Sequence, residues 1–246
     1  MTPDNTEFRA RAIEPVECLK AGWATIKDRY WLFLGITLVA VLIGGAVPIV
    51  LIGPMMCGLY LCLFAKMRNE PVQFDQLFRG FDHFIPGLVA AAIQTVPILI
   101  LVVAADAIFF IFMFAVMPHD RYSHDQAPPP VFFLGLVVFV LFAMIVSLTI
   151  HSLFLFAYPL IVDRKLSGWD AVKTSYRAAV KNIGGIVGLI LLNAGLGIVG
   201  VICCYVGVFF VMPISFAAYA AAYRQVFPEV SQNFASPPPP PGDWAA

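Results

Sequence analysis

The chain has 246 residues, of which 61% are hydrophobic and only 12% charged, and its mean hydropathy is +0.87. Ordinary soluble domains carry roughly 25% charged residues, so this composition excludes a soluble protein that covers its surface with polar side chains. The 15 Lys and Arg balance the 15 Asp and Glu, and a net charge of zero argues against a nucleic-acid partner.

The first predicted element is an amphipathic surface helix over 15–29, after a polar segment, 1–14. Its apolar residues recur at helical spacing, namely Val16, Leu19, Trp23, Ile26 and Tyr30. Lys20 and Lys27 lie on another face, which is typical of a helix with lysines toward lipid headgroups and Trp23 in the boundary layer. The alternative is a solvated helix that packs on another protein. Because the first long apolar run begins only near residue 30, no cleavable signal peptide is predicted.

Residues 30–65 contain no charge, and as one helix they would be about 54 Å long, too long for a single crossing of ~30 Å of hydrocarbon. Two transmembrane helices are therefore predicted, 30–47 and 48–65. The turn between them falls near Gly44, Gly45 and Pro48, the residue types that a tight turn favours.

A second surface helix is predicted over 73–84, because Phe74, Leu77, Phe78 and Phe81 share one helical face. Transmembrane helices are predicted over 86–117 and 131–162. Both are longer than one crossing needs, so they are expected to tilt, to project past the bilayer, or to kink at Pro97 and Pro159.

A third surface helix is predicted over 166–182, where Ser167 and Asp170 form a capping pattern. Trp169, Val172, Tyr176, Val180 and Ile183 share one of its faces. Two further transmembrane helices, 183–201 and 203–224, complete the membrane domain, 15–227. A proline-rich tail, 228–246, is predicted to be disordered.

The loop charges predict the orientation. Fourteen of the 15 Lys and Arg fall on one side of a six-crossing arrangement, and Arg121 alone falls on the other. The positive-inside rule makes the first side cytoplasmic, with both termini inside. The fold class is thus all-α, with six transmembrane helices and three interfacial helices.

The two ends of the chain predict a parallel internal repeat. Gly53-Pro54 precedes Tyr60 as Met212-Pro213 precedes Tyr219, at an offset of 159. Upstream, Lys20 and Trp23 match Lys173 and Tyr176 at an offset of 153. Parallel repeats occur in some transporters, although inverted repeats are the commoner hallmark of that class.

Three phrases resemble a known group of proteins: FDQLFRGF at 74–81, the block YPLIVDRKLSGWDAVKTSYRAAVKNIGG at 158–185, and MPISFAAYAAAYRQVF at 212–227. They are similar to uncharacterised bacterial six-helix integral membrane proteins, and the layout resembles the membrane portion fused to some glycerophosphodiester phosphodiesterases. The resemblance implies a location in the bacterial inner membrane and carries no catalytic residues.

Ionisable residues within apolar runs are the first functional candidates in a membrane protein, and here they are Asp106 and His151. Asp106 is expected near the outer interface, and His151 about 18 Å deep, so that roughly 12 Å separates them in depth. Interfacial hydration of Asp106 and a neutral His151 bonded to a neighbouring helix are the structural alternatives to a transport or proton-handling role.

Other polar groups favour structural roles. Asn193 and Gln94 are expected to form interhelical hydrogen bonds, and Gly184 and Gly188 to allow close helix packing. The pairs His119-Asp120 and His124-Asp125 could supply metal ligands but match no closed site, so a solvated loop is expected. The five cysteines form no CxxC pair, and no disulfide framework, metal or cofactor is predicted.

The sequence thus favours a non-enzymatic membrane protein that organises lipid or binds a partner at the cytoplasmic face. Its candidate contacts with anionic lipid are Lys20, Trp23, Lys27, Trp169, Lys173 and Arg177. A protein partner could recognise the prolines of the tail. The alternative is a transporter of a small solute or lipid, with a cavity near His151. An enzyme is the weakest reading, because no catalytic signature appears.

Overall fold

The computed structural model describes residues 8–47, 49–116, 130–202 and 206–228. Within them the chain is helical and contains no strand, so the all-α prediction is confirmed. The histidine–aspartate pairs of the 118–130 loop lie outside the described residues, as do Cys203, Cys204 and the tail from residue 229 onward.

Nine α-helices occur in the described part of the chain: α1 (Pro15–Ile26), α2 (Tyr30–Ala46), α3 (Ile52–Met67), α4 (Phe84–Val116), α5 (Pro130–Phe154), α6 (Ala157–Arg164), α7 (Gly168–Lys181), α8 (Ile183–Ile202) and α9 (Val206–Val226). Two 3₁₀ helices join them, Lys27–Arg29 and Phe74–His83.

Three predicted elements differ from the structure. The surface helix predicted over 15–29 is α-helical only over Pro15–Ile26 and continues as the 3₁₀ helix Lys27–Arg29. The surface helix predicted over 73–84 is the 3₁₀ helix Phe74–His83, so the chain there is wound more tightly than an α-helix. The helix predicted over 131–162 is broken into α5 and α6. The break precedes Pro159, which offers no N–H to the carbonyl of Leu155 and whose ring crowds that carbonyl. By contrast, α4 continues through Pro97.

Five helical stretches of the described residues are long and apolar enough to span a membrane: Pro15–Ala46, Phe74–Ala115, Pro130–Arg164, Ile183–Ile202 and Val206–Val226. The helix α3 is apolar but has only 16 residues. At 1.5 Å per residue it is about 24 Å long, shorter than the ~30 Å of a bilayer core.

The long helices form three hairpins, α2 with α3, α4 with α5–α6, and α8 with α9. Three shorter segments, which we call the surface segments, pack on them: α1, the 3₁₀ helix Phe74–His83, and α7. Two surface segments pack on the hairpin that precedes them along the chain, and α1, which no hairpin precedes, packs on the last one. The 3₁₀ helix lies on α3, α7 lies on α5–α6, and α1 lies on α9 at the opposite end of the chain.

A small residue stands at each of these three crossings. A Cβ added to Gly22 of α1 would lie 2.6 Å from the backbone N of Ala218, and one added to Gly80 would meet backbone of Pro54 and Gly58. At the third crossing Ser175 replaces glycine. Its Oγ donates to the carbonyl of Leu153 (2.8 Å) and accepts from the N–H of Phe156 (3.2 Å), so it satisfies backbone groups freed by the α5–α6 break.

Candidate functional site

Three tyrosines, one from each hairpin, converge where α3, α6 and α9 meet. The hydroxyl of the buried Tyr60 lies within electrostatic range of those of Tyr158 and Tyr219. We call these three residues the tyrosine cluster. Tyr158 donates a hydrogen bond to Oε1 of Gln94 (3.4 Å), so the interhelical bond predicted for Gln94 is confirmed. Tyr158 and Gln94 belong to the same hairpin, so this bond joins α4 to α6 within it.

A second group, the charge cluster, consists of Asp163, Arg164, Tyr223 and Arg224. Asp163 accepts a hydrogen bond from the Tyr223 hydroxyl (2.8 Å), and its Oδ1 lies 2.9 Å from a guanidinium nitrogen of Arg224. Arg164 lies 4.0 Å from the same carboxylate. The side chains of Asp163 and Arg224 are only 15% and 16% exposed. Low exposure strengthens such charge-assisted bonds and also raises the cost of breaking them.

Aromatic rings enclose the charge cluster. The guanidinium carbon of Arg224 lies 4.5 Å from the centre of the Phe64 ring, and that of Arg164 lies 5.7 Å from the centre of the Phe227 ring. Phe64 and Tyr223 are themselves 5.3 Å apart between ring centroids. Because these contacts join α3, α6 and α9, the cluster fastens the ends of all three hairpins.

The structure does not bring Asp106 and His151 together. In the α4–α5 hairpin Phe109 stacks on Phe139 with 4.8 Å between centroids, which places half-buried Asp106 near the level of Phe142. His151 lies nine residues beyond Phe142, or about 14 Å along the helix. Its ring lies 6.2 Å from that of Tyr219 between centroids, so His151 borders the tyrosine cluster while Asp106 does not.

The first surface segment turns its predicted lipid-contacting residues away from the protein. Cys18, Gly22 and Ile26 are buried against the bundle. Trp23 is 46% exposed and Lys20 is exposed, as is Lys27 in the 3₁₀ helix that follows. Trp23 also packs near Tyr30, with 5.7 Å between the ring centroids. The segment therefore presents cations and aromatic rings on its outer side.

The third surface segment, α7, has the same division. Its N-terminus is capped as predicted, because the Ser167 hydroxyl accepts from the N–H of Asp170 (3.2 Å). Small side chains such as Ala171 and Ala178 are buried against the hairpins, whereas Trp169 is 60% exposed. The basic side chains Lys173 and Arg177 are exposed beside it. Of the face predicted to be apolar, Val172 alone is buried, and Trp169, Tyr176, Val180 and Ile183 face outward.

Two predictions for α8 are wrong. Asn193 makes no interhelical bond in the described part of the chain. Its amide donates to the carbonyl of Leu189 in its own helix (2.9 Å), and its buried Oδ1 has no partner there. A Cβ added to Gly184 would meet no atom within 4 Å, so no helix packs closely there. Gly188, in contrast, does lie against the ring of Pro15.

A cavity of about 220 Å³ lies beside Asn193, and Val41, Met212 and Ser215 are among its other lining residues. It is smaller than the ~300 Å³ at which pockets for drug-sized ligands begin. Two other cavities are described, with volumes of about 610 and 180 Å³. His151 and Asp106 line none of these three cavities.

The sequence interpretation missed the charge cluster and the shared location of the tyrosines. Tyr60 and Tyr219 were visible as repeat markers, and the short spacing from Tyr158 to Asp163 and Arg164 resembles that from Tyr219 to Arg224. That shared spacing is the signal that could have joined them. The described side chains form hydrogen bonds and ion pairs, and α1 and α7 expose aromatic rings and cations on their outer sides. No protein-family model matches the chain, and comparisons with curated proteins and with solved structures found no match.

Proposed function

We propose that this chain is a non-enzymatic integral membrane protein that binds anionic lipid headgroups, or a partner at the membrane surface, through its cytoplasmic face. The observation that carries the proposal is the outward arrangement of α1 and α7. The helix α1 buries Cys18, Gly22 and Ile26 and leaves Lys20 and Trp23 exposed. The helix α7 buries small residues and leaves Trp169, Lys173 and Arg177 exposed. Exposed tryptophan beside exposed cations suits the boundary between hydrocarbon and headgroups.

The proposed topology has six crossings, both termini in the cytoplasm, and a bacterial inner membrane as the location. Its support is the charge distribution, since the exposed Lys and Arg of all three surface segments fall on the predicted cytoplasmic side. The exposed apolar length of α4 and α5 adds further support, because a soluble protein rarely exposes apolar patches of that extent. The short helix α3 then crosses with the bilayer thinned locally.

Neutralising two cations of α7 tests the lipid-binding proposal. We expect wild-type protein in mixed phosphatidylcholine and phosphatidylglycerol vesicles to enrich labelled phosphatidylglycerol around itself, measured by energy transfer from protein tryptophan. The double variant Lys173→Gln with Arg177→Gln should lose about fivefold in enrichment per charge removed, because each cation near the surface contributes about 1 kcal/mol.

The matched control keeps the charge, as Lys173→Arg with Arg177→Lys, and should retain the enrichment. Equal enrichment in the neutralised and wild-type proteins would contradict the proposal. So would a wild-type protein that draws both lipids equally.

A second candidate function is transport of a small solute or lipid, and the polar groups around His151 favour it. His151 borders Tyr219, which belongs to the tyrosine cluster at the meeting point of the hairpins. With protons as the probe, vesicles containing an entrapped pH-sensitive dye should show flux that His151→Leu reduces at least tenfold. His83→Gln, in the 3₁₀ helix Phe74–His83, serves as the control. Flux that is no higher than in empty vesicles would remove this candidate.

A further inference from the structure

The largest cavity described, about 610 Å³, opens between residues 10–13 and the junction of α7 with α8. Two cations line it, Arg11 and Lys181, together with the buried amide residue Asn182. The remaining lining comes from Val180, Ile183, Gly184 and Gly185 and from the N-terminal segment. The cavity therefore combines positive charge with an apolar border.

Asn182 fixes the N-terminal segment over this junction. Its Oδ1 accepts from the N–H of Ala12 (2.9 Å), and its Nδ2 donates to the carbonyl of Arg9 (3.0 Å). The N–H of Arg11 donates to the carbonyl of Lys181 (3.4 Å). These bonds hold Arg11 in a left-handed conformation, with φ of 53°, which a non-glycine residue adopts only where its surroundings hold it there. Arg11 is thus held beside Lys181.

An apolar stripe leads away from the cavity along the outer side of α8. Ile183, Val187 and Leu191 are exposed at i, i+4 and i+8, so they lie in one row. The row extends about 12 Å from the cavity along the helix. Ile183 belongs to both features, so the charged cavity and the apolar row are continuous.

We infer that this cavity holds the phosphate-bearing headgroup of one anionic phospholipid, whose acyl chain lies along Ile183, Val187 and Leu191. Arg11 and Lys181 supply the charge-assisted hydrogen bonds that a phosphate accepts, and arginine binds phosphate oxygens in pairs. The volume is within the usual ~300–1,000 Å³ range of ligand sites. The inference rests on the proposed function and deepens it, because it distinguishes one bound lipid from the general attraction of the surface cations.

The test uses full-length protein and phosphatidylglycerol, with native mass spectrometry to count the lipids retained as detergent is increased. We expect one phosphatidylglycerol per chain to outlast the others. In Arg11→Gln with Lys181→Gln its affinity should fall at least tenfold, while the vesicle enrichment that depends on Lys173 and Arg177 persists. Retention of the single lipid by this variant would overturn the inference. A wild-type protein that retains the single lipid but does not enrich phosphatidylglycerol in vesicles would instead count against the broader proposal.

A steric variant keeps both charges. A Cβ at Gly184 meets no atom within 4 Å, so Gly184→Leu can fold and project into the cavity, and it should reduce retention of the single lipid at least tenfold. Gly195→Leu is the matched control, because Gly195 lies on the same helix with equally open space and does not line the cavity. Equal lipid retention by the two variants would contradict the inference.

Inorganic phosphate provides the remaining arm. We expect millimolar phosphate to leave the bound phosphatidylglycerol in place, because the apolar row contributes to lipid binding and not to binding of the free anion. Displacement of the lipid at that concentration would identify a site for free phosphate and overturn the assignment to phospholipid.

Discussion

Replacing Asp163 by Asn is expected to lower the free energy of unfolding by about 3–5 kcal/mol, the usual cost of leaving a buried charge without its partner. Asp163 accepts from both Tyr223 and Arg224, and Arg164 approaches the same carboxylate. For a chain of this size the melting temperature should fall by roughly 6–20 °C, since each kcal/mol corresponds to about 2–4 °C. Thermal unfolding in detergent micelles measures the change.

The matched control is the exposed pair of Arg68 and Glu70, whose side chains are 41% and 51% exposed and approach to 2.8 Å. The hydrogen bond from Arg68 holds the pKa of Glu70 below its usual range. The bond is therefore fully present when the pH is above the ordinary pKa of a glutamate, and it is lost when acid protonates Glu70. At neutral pH Glu70→Gln should nevertheless shift the melting temperature much less than Asp163→Asn, because solvent screens exposed pairs. If Asp163→Asn shifts the melting temperature no more than Glu70→Gln does, the charge cluster does not hold the hairpin ends together.

The second large effect is expected at the crossings of the surface segments. A Cβ on Gly22 would lie 2.6 Å from the N of Ala218 and 2.8 Å from the carbonyl carbon of Ala217, and both atoms belong to the backbone of α9. Because backbone cannot rotate aside, α1 must move away from α9. We expect Gly22→Ala to destabilise the protein by about 3 kcal/mol, at the upper end of overpacking costs. The melting temperature should fall by about 6–12 °C.

Gly45→Ala is the control for this effect. Gly45 lies in α2 with no atom within 4 Å of an added Cβ, so alanine there should stabilise the helix by up to about 1 kcal/mol. Opposite signs for two chemically identical substitutions would locate the effect in the crossing of α1 with α9. A Gly22→Ala protein that melts at or above the wild-type temperature would show that the crossing is not tightly packed.

Much of the secondary structure could be predicted because it follows from local patterns. Helical spacing of apolar residues predicted α1 and α7, and the Ser167 cap follows from a four-residue motif. A break at Pro159 was among the expectations, since a proline removes one backbone donor, but the same rule applied to Pro97, through which α4 continues. The 3₁₀ winding of Phe74–His83 could not be predicted, because its phenylalanine spacing fits an α-helix equally well and the packing on α3 selects the tighter form.

Three segments of the chain share one residue pattern, whereas the predicted repeat had two units. In the aligned segments 17–23, 75–81 and 170–176, an acidic residue is followed by an aliphatic residue two places on, a small residue five places on and an aromatic residue six places on. The small residues are Gly22, Gly80 and Ser175, which stand at the three crossings. Matching identical residues missed the middle unit, because Phe78 occupies the position of Lys20 and Lys173. The three segments thus share a small residue at the crossing, and they do not share the charge at the position of Lys20 and Lys173.

The candidate site was harder to predict for a physical reason. Asp163 and Arg224 both stand where a charged residue is expected anyway, near the end of an apolar helical stretch. Whether such charges pair depends on which hairpins are neighbours, and hydropathy carries no information on that. The same limit applies to Arg11 and Lys181, which are 170 positions apart and come together only because α1 joins the last hairpin.

The packing of the surface segments also sets an order of assembly. The 3₁₀ helix and α7 each find their hairpin already synthesised, whereas α1 packs mainly on α9, which is synthesised after the eight other described α-helices. Gly22 precedes Ala218 by 196 residues, and at about 5–20 residues per second this delay is roughly 10–40 s. Throughout that interval α1 lacks its most extensive contact, because α3 and α8 cover less of it than α9 does. Synthesis of the hairpin of α8 and α9 therefore completes the packing of the three surface segments on the three hairpins.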